Sequence, residues 1–146
     1  MQKKFKIKTI NRIIDANINR AKEGLRVCEE ITRFVLNSRK FTQELKKIRH
    51  AIDSIVKQFS SVDLLEVRSS LKDDGRTIYA NELKRKNLQD IFFLFFQRVK
   101  ESIRVLEEFA KLESWGLAVK FKRIRYDIYY IEKKVAKKVL SLRNLR

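Results

Sequence analysis

The sequence predicts an all-α fold: a four-helix bundle made of two duplicated helical hairpins joined by a long central loop. Three observations carry this. The segment Asn19-Arg20-Ala21-Lys22-Glu23-Gly24-Leu25-Arg26-Val27-Cys28-Glu29-Glu30 returns as Gln97-Arg98-Val99-Lys100-Glu101-Ser102-Ile103-Arg104-Val105-Leu106-Glu107-Glu108, with seven of twelve positions identical, so the chain is internally repeated. A shorter echo aligns Lys47-Ile48-Arg49-His50-Ala51-Ile52 with Arg123-Ile124-Arg125-Tyr126-Asp127-Ile128. There is no proline and only three glycines, Gly24, Gly75 and Gly116, so long helices can run uninterrupted.

Helical spacing locates each element. Ile10, Ile14, Ile18, Ala21, Leu25, Cys28, Thr32 and Val35 fall on one stripe at about 100° per residue, which predicts a first helix from about Ile10 to Leu36. Asn37 and Ser38 break it. A second helix from about Thr42 to Phe59 buries Leu45, Ile48, Ile52, Ile55 and Val56, antiparallel to the first. Residues 60–86 have turn chemistry and no helical apolar period, and a loop of that length inside a compact domain is usually functional or disordered. Asn87 can cap a third helix reaching about Leu112, with Asp90 completing a capping-box-like arrangement. A fourth helix follows Ser114-Trp115-Gly116 and runs to near Leu142. The domain reading is a single helical unit, 1–146, comprising hairpin 10–59, loop 60–86 and hairpin 87–142.

Composition narrows the class. The apolar run Ile91 to Phe96 is far below the roughly 20 residues a bilayer needs, and the lysine-rich start lacks a signal-peptide core. The expectation is a soluble, cytoplasmic protein with no membrane partner. Cys28 is the only cysteine, which excludes an intramolecular disulfide and a cysteine-based zinc site and suggests a small buried apolar group. The net charge of +17 favours anionic partners. Much of the excess sits at Lys3, Lys4, Lys6 and Lys8, and at Lys133, Lys134, Lys137, Lys138, Arg143 and Arg146. Phosphate-loop and dinucleotide-loop glycine patterns are absent, and His50, the sole histidine, is expected to pack and hydrogen-bond.

Helical projection places Asp15, Asn19, Glu23, Arg26, Glu30 and Arg33 within about 40° of one line, with Gln97, Glu101, Arg104, Glu108 and Lys111 on the matching line. Two readings stay open: a ladder of structural ion pairs, or a ligand site. Asp15, Asn17 and Asn19 correspond to Phe93, Phe95 and Gln97, so the first copy carries polar chemistry that the second lacks. Asn17 projects toward the apolar side and needs a definite hydrogen-bond partner.

The stretch Ile14-Asp15-Ala16-Asn17-Ile18-Asn19-Arg20-Ala21-Lys22-Glu23-Gly24-Leu25-Arg26-Val27-Cys28-Glu29-Glu30, then Arg33-Phe34, Arg49-His50, the loop Arg68 to Gly75, Lys100 to Phe109 and Arg125-Tyr126, resembles a specific family. This is the small hydroxymethylpyrimidine-phosphate kinase often fused ahead of thiamine-phosphate synthase. The family loop tends to read Arg-Asp-Thr-x-x-Asp-x-Gly; Arg68, Asp73 and Gly75 match, and Ser69 stands where the family has an acid. The resemblance implies a standalone kinase that converts 4-amino-5-hydroxymethyl-2-methylpyrimidine phosphate to the diphosphate with ATP and Mg2+, in thiamine biosynthesis.

On that resemblance, Arg20, Arg26, Arg49, Arg68, Arg104 and Arg125 are candidate catalytic clamps for the transferring phosphoryl group. Asp15 and Asp73 are the candidate metal ligands. Asn17 and Asn19 are suited to the aminopyrimidine edge, and with Glu23, Glu30, Glu101 and Glu108 they form the candidate substrate-binding set. The loop Arg68 to Arg76 is placed to close over the nucleotide.

Other readings are a basic helical module binding nucleic acid or another polyanion, a metal-free helical enzyme acting on small polyanions, and a noncatalytic homodimer formed through Phe92, Phe93, Phe95 and Phe96 of the third helix. Nucleic acid is disfavoured because aromatic residues fall on the core stripes and the motif arginines alternate with glutamates.

Overall fold

The protein is described by a computed structural model covering residues 1–142, with the backbone alone described at Phe5 and Ser61. Arg143 and Arg146 of the basic C-terminal cluster lie outside the described residues. The fold is all-α. Five helices run in order: α1 (Gln2–Glu30), continued by a π-helical turn over Ile31–Val35, α2 (Arg39–Val56), the short α3 (Ser61–Glu66), α4 (Leu88–Ala110) and α5 (Trp115–Ser141).

Each long helix arises from the expected chemistry. The stripe Ile14, Ile18, Ala21, Leu25 and Cys28 is buried along α1. The helix begins at Gln2, ahead of the expected Ile10, because the lysine-rich start contains no breaker and extends outward as an exposed helical segment. Asn37 stops the first hairpin arm by taking a positive φ of 49°, a left-handed conformation that Asn tolerates better than most side chains. Ser38 then caps α2, its hydroxyl accepting from the Phe41 backbone N–H at 3.2 Å. Asn87 caps α4 by accepting from Asp90 N–H at 2.9 Å. The Asp90 carboxylate reaches back to Lys86 N–H at 3.0 Å, one residue before the cap, so the reciprocal bond falls one position from that of a standard capping box.

α1 packs on α2 and α4, and α5 packs on α2 and α4. The side chains between them form one core, with Leu25, Leu45, Ile52, Phe92, Phe96, Phe121 and Ile128 fully buried. The α1 and α4 backbones approach closely at Gly24, where a Cβ would stand 2.7 Å from Val99 Cγ2 and 3.3 Å from the Phe95 carbonyl oxygen. Gln89 ties the start of α4 to the end of α5 by donating to the carbonyls of Val139 at 3.2 Å and Leu142 at 3.3 Å.

Several expectations change. The central loop is not wholly irregular: besides α3 it contains single 3₁₀ turns at Ser70–Lys72, Asp74–Arg76 and Ala80–Leu83. These are too short to generate the apolar period by which a helix is read. His50 is exposed, since its ring falls on the outer face of α2. The aromatic set of α4 is largely internal, because Phe92 and Phe96 are fully buried and Phe95 packs against the core, which leaves Phe93 as its exposed member. No helix among the described residues is long and apolar enough to cross a membrane.

Candidate functional site

The repeated charged motif resolves into two kinds of position. Glu29 and Glu107, equivalent in the two copies, are buried acids, each clamped by arginines from its own helix and from the next long one. Glu29 accepts from Arg49 Nε at 2.7 Å and Arg26 Nη1 at 3.0 Å. Glu107 accepts from Arg125 Nε at 2.8 Å and Nη2 at 3.3 Å, and from Arg104 Nη1 at 3.1 Å. Burial pushes Glu107 upward, but the hydrogen bonds and charge of Arg125 and Arg104 outweigh it and hold the carboxyl below its ordinary range. Arg125 is held protonated by Glu107 and then by the Tyr129 hydroxyl. Lys22 with Asp53 at 2.6 Å and Lys100 with Glu132 at 3.0 Å continue this cross-bracing. Arg26, Arg49, Arg104 and Arg125, four of the six candidate clamps, are thus engaged by acidic side chains in this structure.

Arg20 and Arg98 are the other kind. They also occupy equivalent positions, yet no acidic side chain among the described residues pairs with either. Both border one cleft of about 490 Å³ between α1 and α4, which is also lined by Asn17, Glu101, Ser102 and Val105 and by Gly75 and Glu82 of the central loop. Arg98 rests against the Phe95 ring, its guanidinium carbon 5.3 Å from the centroid. Asn17 is 5% exposed. Its amide nitrogen donates to the Ile13 carbonyl at 2.8 Å, which leaves the amide oxygen for the cleft. In the second copy the equivalent position is Phe95, so the polar cleft has no twin.

The central loop is fastened to this wall by Arg68. Its guanidinium makes a two-pronged pair with Asp15, Nε to Oδ2 at 2.8 Å and Nη2 to Oδ1 at 2.7 Å. Asn19 supports the same acid by donating to the Asp15 carbonyl at 3.0 Å and to Oδ1 at 3.3 Å. These residues, with Asp73, Ser69 and Arg12, surround a smaller cleft of about 180 Å³. Asp73 and Gly75 also border a third recess of about 540 Å³ shared with Arg20, and Asp73 Oδ1 accepts from Gly75 N–H at 2.7 Å.

The candidate metal ligands Asp15 and Asp73 therefore border one cleft, but both Asp15 oxygens are committed to Arg68. Among the described residues no group of three or more His, Cys, Asp or Glu side chains could hold a metal ion. The donor chemistry fits a magnesium ion held by one or two carboxylates with phosphate and water oxygens completing the shell. Asp73 and Glu101 keep oxygens for such a role, since each has one oxygen engaged, Asp73 by Gly75 N–H and Glu101 Oε1 by Gln97 Nε2 at 2.9 Å.

Of the remaining candidates, Glu23 and Glu30 are exposed on α1 and do not line the cleft. Glu108 belongs to an exposed ladder with Lys111 at 2.8 Å and Arg104 at 3.3 Å, and Lys111 holds its carboxyl below the ordinary range. Arg98, Ser102 and Glu82 were not singled out from the sequence. The repeat contained the signal for Arg98, as the counterpart of Arg20.

Residues 12–134 match the ThiD2 family. The chain is similar to a thiamine-phosphate synthase of Synechocystis sp., with 37% identity over 124 residues covering 84% of this chain and 35% of the relative. It is also similar to thiamine-phosphate synthases of Nostoc punctiforme, 34% identical over 132 residues, 90% of this chain and 36% of the relative, and Rhodopirellula baltica, 33% over 136 residues, 92% and 36%. It spans about a third of the length of these curated relatives. No solved structure matches it. With the family match running from the middle of α1 into the last part of α5, the chain belongs to the ThiD2 family.

Proposed function

We propose that this chain is a phosphotransferase of thiamine biosynthesis that carries the γ-phosphoryl group of ATP to 4-amino-5-hydroxymethyl-2-methylpyrimidine phosphate. The observation that carries this reading is the convergence of Arg20 and Arg98, without acidic partners, on the one cleft that also presents the Asn17 amide. Two unneutralised guanidinium groups beside a hydrogen-bonding amide suit a ligand with a phosphate at one end and a polar aromatic edge at the other. The similarity to proteins named thiamine-phosphate synthase supports the same pathway.

The chemistry asks little of a general base. A phosphate monoester has a second pKa of about 6, so near neutral pH its oxygen is already anionic. That oxygen attacks the γ-phosphorus, the bond from γ-phosphorus to the bridging oxygen of ADP breaks, and ADP leaves with the electron pair. The chain's part is to bring two anions together and hold them. Arg20 and Arg98 offset their repulsion, and Asn17 accepts from the 4-amino group and fixes the ring. Asp73 and Glu101, on neighbouring recesses, each keep a carboxylate oxygen with which either would hold a magnesium ion, and that ion would neutralise charge on the nucleotide phosphates. The loop bearing Gly75 and Glu82 borders the cleft, from where its closing over the bound phosphates would limit water.

Exposed lysines at the start of α1 and the end of α5 favour a second reading, binding to a polyanion. The deciding experiment is ADP release from ATP and magnesium with the pyrimidine phosphate, with the unphosphorylated alcohol as control. Turnover with the phosphate alone is expected. No ADP release with either compound, together with salt-sensitive polyanion binding, would replace the kinase by the polyanion reading.

A further inference from the structure

Beside the cleft, on the α5 side of α4, lies a second groove of about 420 Å³ lined by Gln97, Lys100, Glu101, Arg104, Val105 and Tyr129. It shares Glu101 and Val105 with the cleft, so the two recesses adjoin along one helix. Tyr129 is 41% exposed although it is fixed on several sides. Arg125 donates to its hydroxyl at 3.2 Å, Tyr126 meets it edge-on with centroids 5.7 Å apart at 86°, and the Lys100 ammonium stands 5.8 Å from its centroid. A rigid, part-exposed aromatic ring with cations and a carboxamide around it has the components of a stacking platform for a base with an anionic tail.

We infer that this groove is the nucleotide subsite: the purine ring of ATP stacks on Tyr129, and its phosphate chain crosses the Glu101 wall toward Arg98 and Arg20. This deepens the kinase reading and rests on it for the identity of the nucleotide. It also accounts for how the chain could hold ATP without a glycine-rich phosphate loop, since stacking would hold the base and the arginines of the adjoining cleft the phosphates. The smaller partner is then left the cleft with Asn17, so the two anions meet at the boundary the recesses share.

The test is equilibrium binding of a fluorescent ATP analogue with magnesium, in the absence of the pyrimidine phosphate, to the full chain and to Tyr129→Ala, Tyr129→Phe and Tyr130→Ala. Tyr129→Ala is expected to weaken binding about ten-fold, in the range of one lost base stack, while Tyr129→Phe keeps the ring and the affinity. Tyr130→Ala, on the neighbouring exposed position, is expected to change nothing. Unchanged affinity in Tyr129→Ala, or an equal loss in Tyr129→Phe, would overturn the inference, because the ring face would then not be what binds. Turnover separates the two ideas. Nucleotide binding that depends on Tyr129 without any ADP release would remove the kinase and keep the groove. Normal turnover and ATP KM in Tyr129→Ala would remove the groove and keep the kinase.

Discussion

The two copies of the repeat use the same residues and arrive at different surfaces. Where they agree, at Arg26 and Arg104 or Glu29 and Glu107, each builds the same internal brace, an acid beneath the surface held by arginines from its own helix and from the next long one. Where they differ, at Asp15 and Phe93 or Asn17 and Phe95, the first copy gains a polar wall and the second an apolar one. Arg20 and Arg98 belong to the matching positions, but the antiparallel crossing of α1 and α4 turns both toward the single polar cleft. Duplication therefore supplied the scaffold twice, and divergence left one polar cleft.

The largest expected effect comes from breaking the brace. Glu107→Ala leaves Arg125, 9% exposed, without its carboxylate, and should lower unfolding free energy by about 3–5 kcal/mol in denaturant titration. Glu29→Ala should cost less, because Arg49 makes one hydrogen bond to Glu29 and Arg125 makes two to Glu107. Equal losses would mean that the two braces are equivalent in energy as well as in sequence.

Next in size is the cleft. Arg20→Ala and Arg98→Ala are each expected to reduce kcat/KM by roughly 10²–10³, the scale for losing one preorganised charge donor, with little change in unfolding midpoint. A loss of stability as large as that of Glu107→Ala, with activity retained, would put these arginines on the structural side of the comparison.

Acid sensitivity sharpens the brace further. The Glu107 carboxyl lies below its ordinary value in the folded chain, so its contribution is present above the unfolded value of about 4.3 and is lost as pH falls through the folded value. Glu107→Gln should flatten the stability-pH curve below about pH 4.3, as followed by thermal unfolding across that range.

The smallest effect is expected at the helix crossing. Gly24→Ala places a methyl 2.7 Å from Val99 Cγ2; overpacking costs of about 1–3 kcal/mol are offset by about 1 kcal/mol of helix propensity, leaving a net loss near 1 kcal/mol. Gly24→Ser, which copies the second half of the repeat, should behave alike. Any gain in stability would show that α1 can move away from α4 freely.

The long helices were legible because apolar period and capping residues are local: Asn87 accepts the expected backbone N–H, while Ser38 and Ser114, read only as breaks between helices, also cap the helices that follow them. The α1 extension to Gln2 and the turns within 60–86 were not, since neither buries the stripe that marks a helix in sequence. Asn17 was legible as a buried amide in need of a partner, and the Ile13 carbonyl is that partner. Arg98 and Tyr129 escaped because their relevance depends on which helix faces which. Helical projection on one element grouped Arg104 with Glu101 and Glu108, whereas the cleft selects Arg98, on the side of α4 turned toward α1. The ion pairs of Arg49 and Arg125 were hidden for the converse reason: the buried acids they hold sit on other helices.

The most direct test of the cleft is steady-state turnover of the pyrimidine phosphate with MgATP by Arg20→Ala and Arg26→Ala, two exposed arginines of the same repeat separated by less than two helical turns, of which Arg20 borders the cleft and Arg26 pairs with Glu29 outside it. Arg20→Ala is expected to lose most of its kcat/KM and Arg26→Ala to keep most of it, with both chains folded by circular dichroism. Full activity in Arg20→Ala, or collapse in Arg26→Ala alone, would contradict the assignment of the cleft between α1 and α4 as the place where phosphate is held.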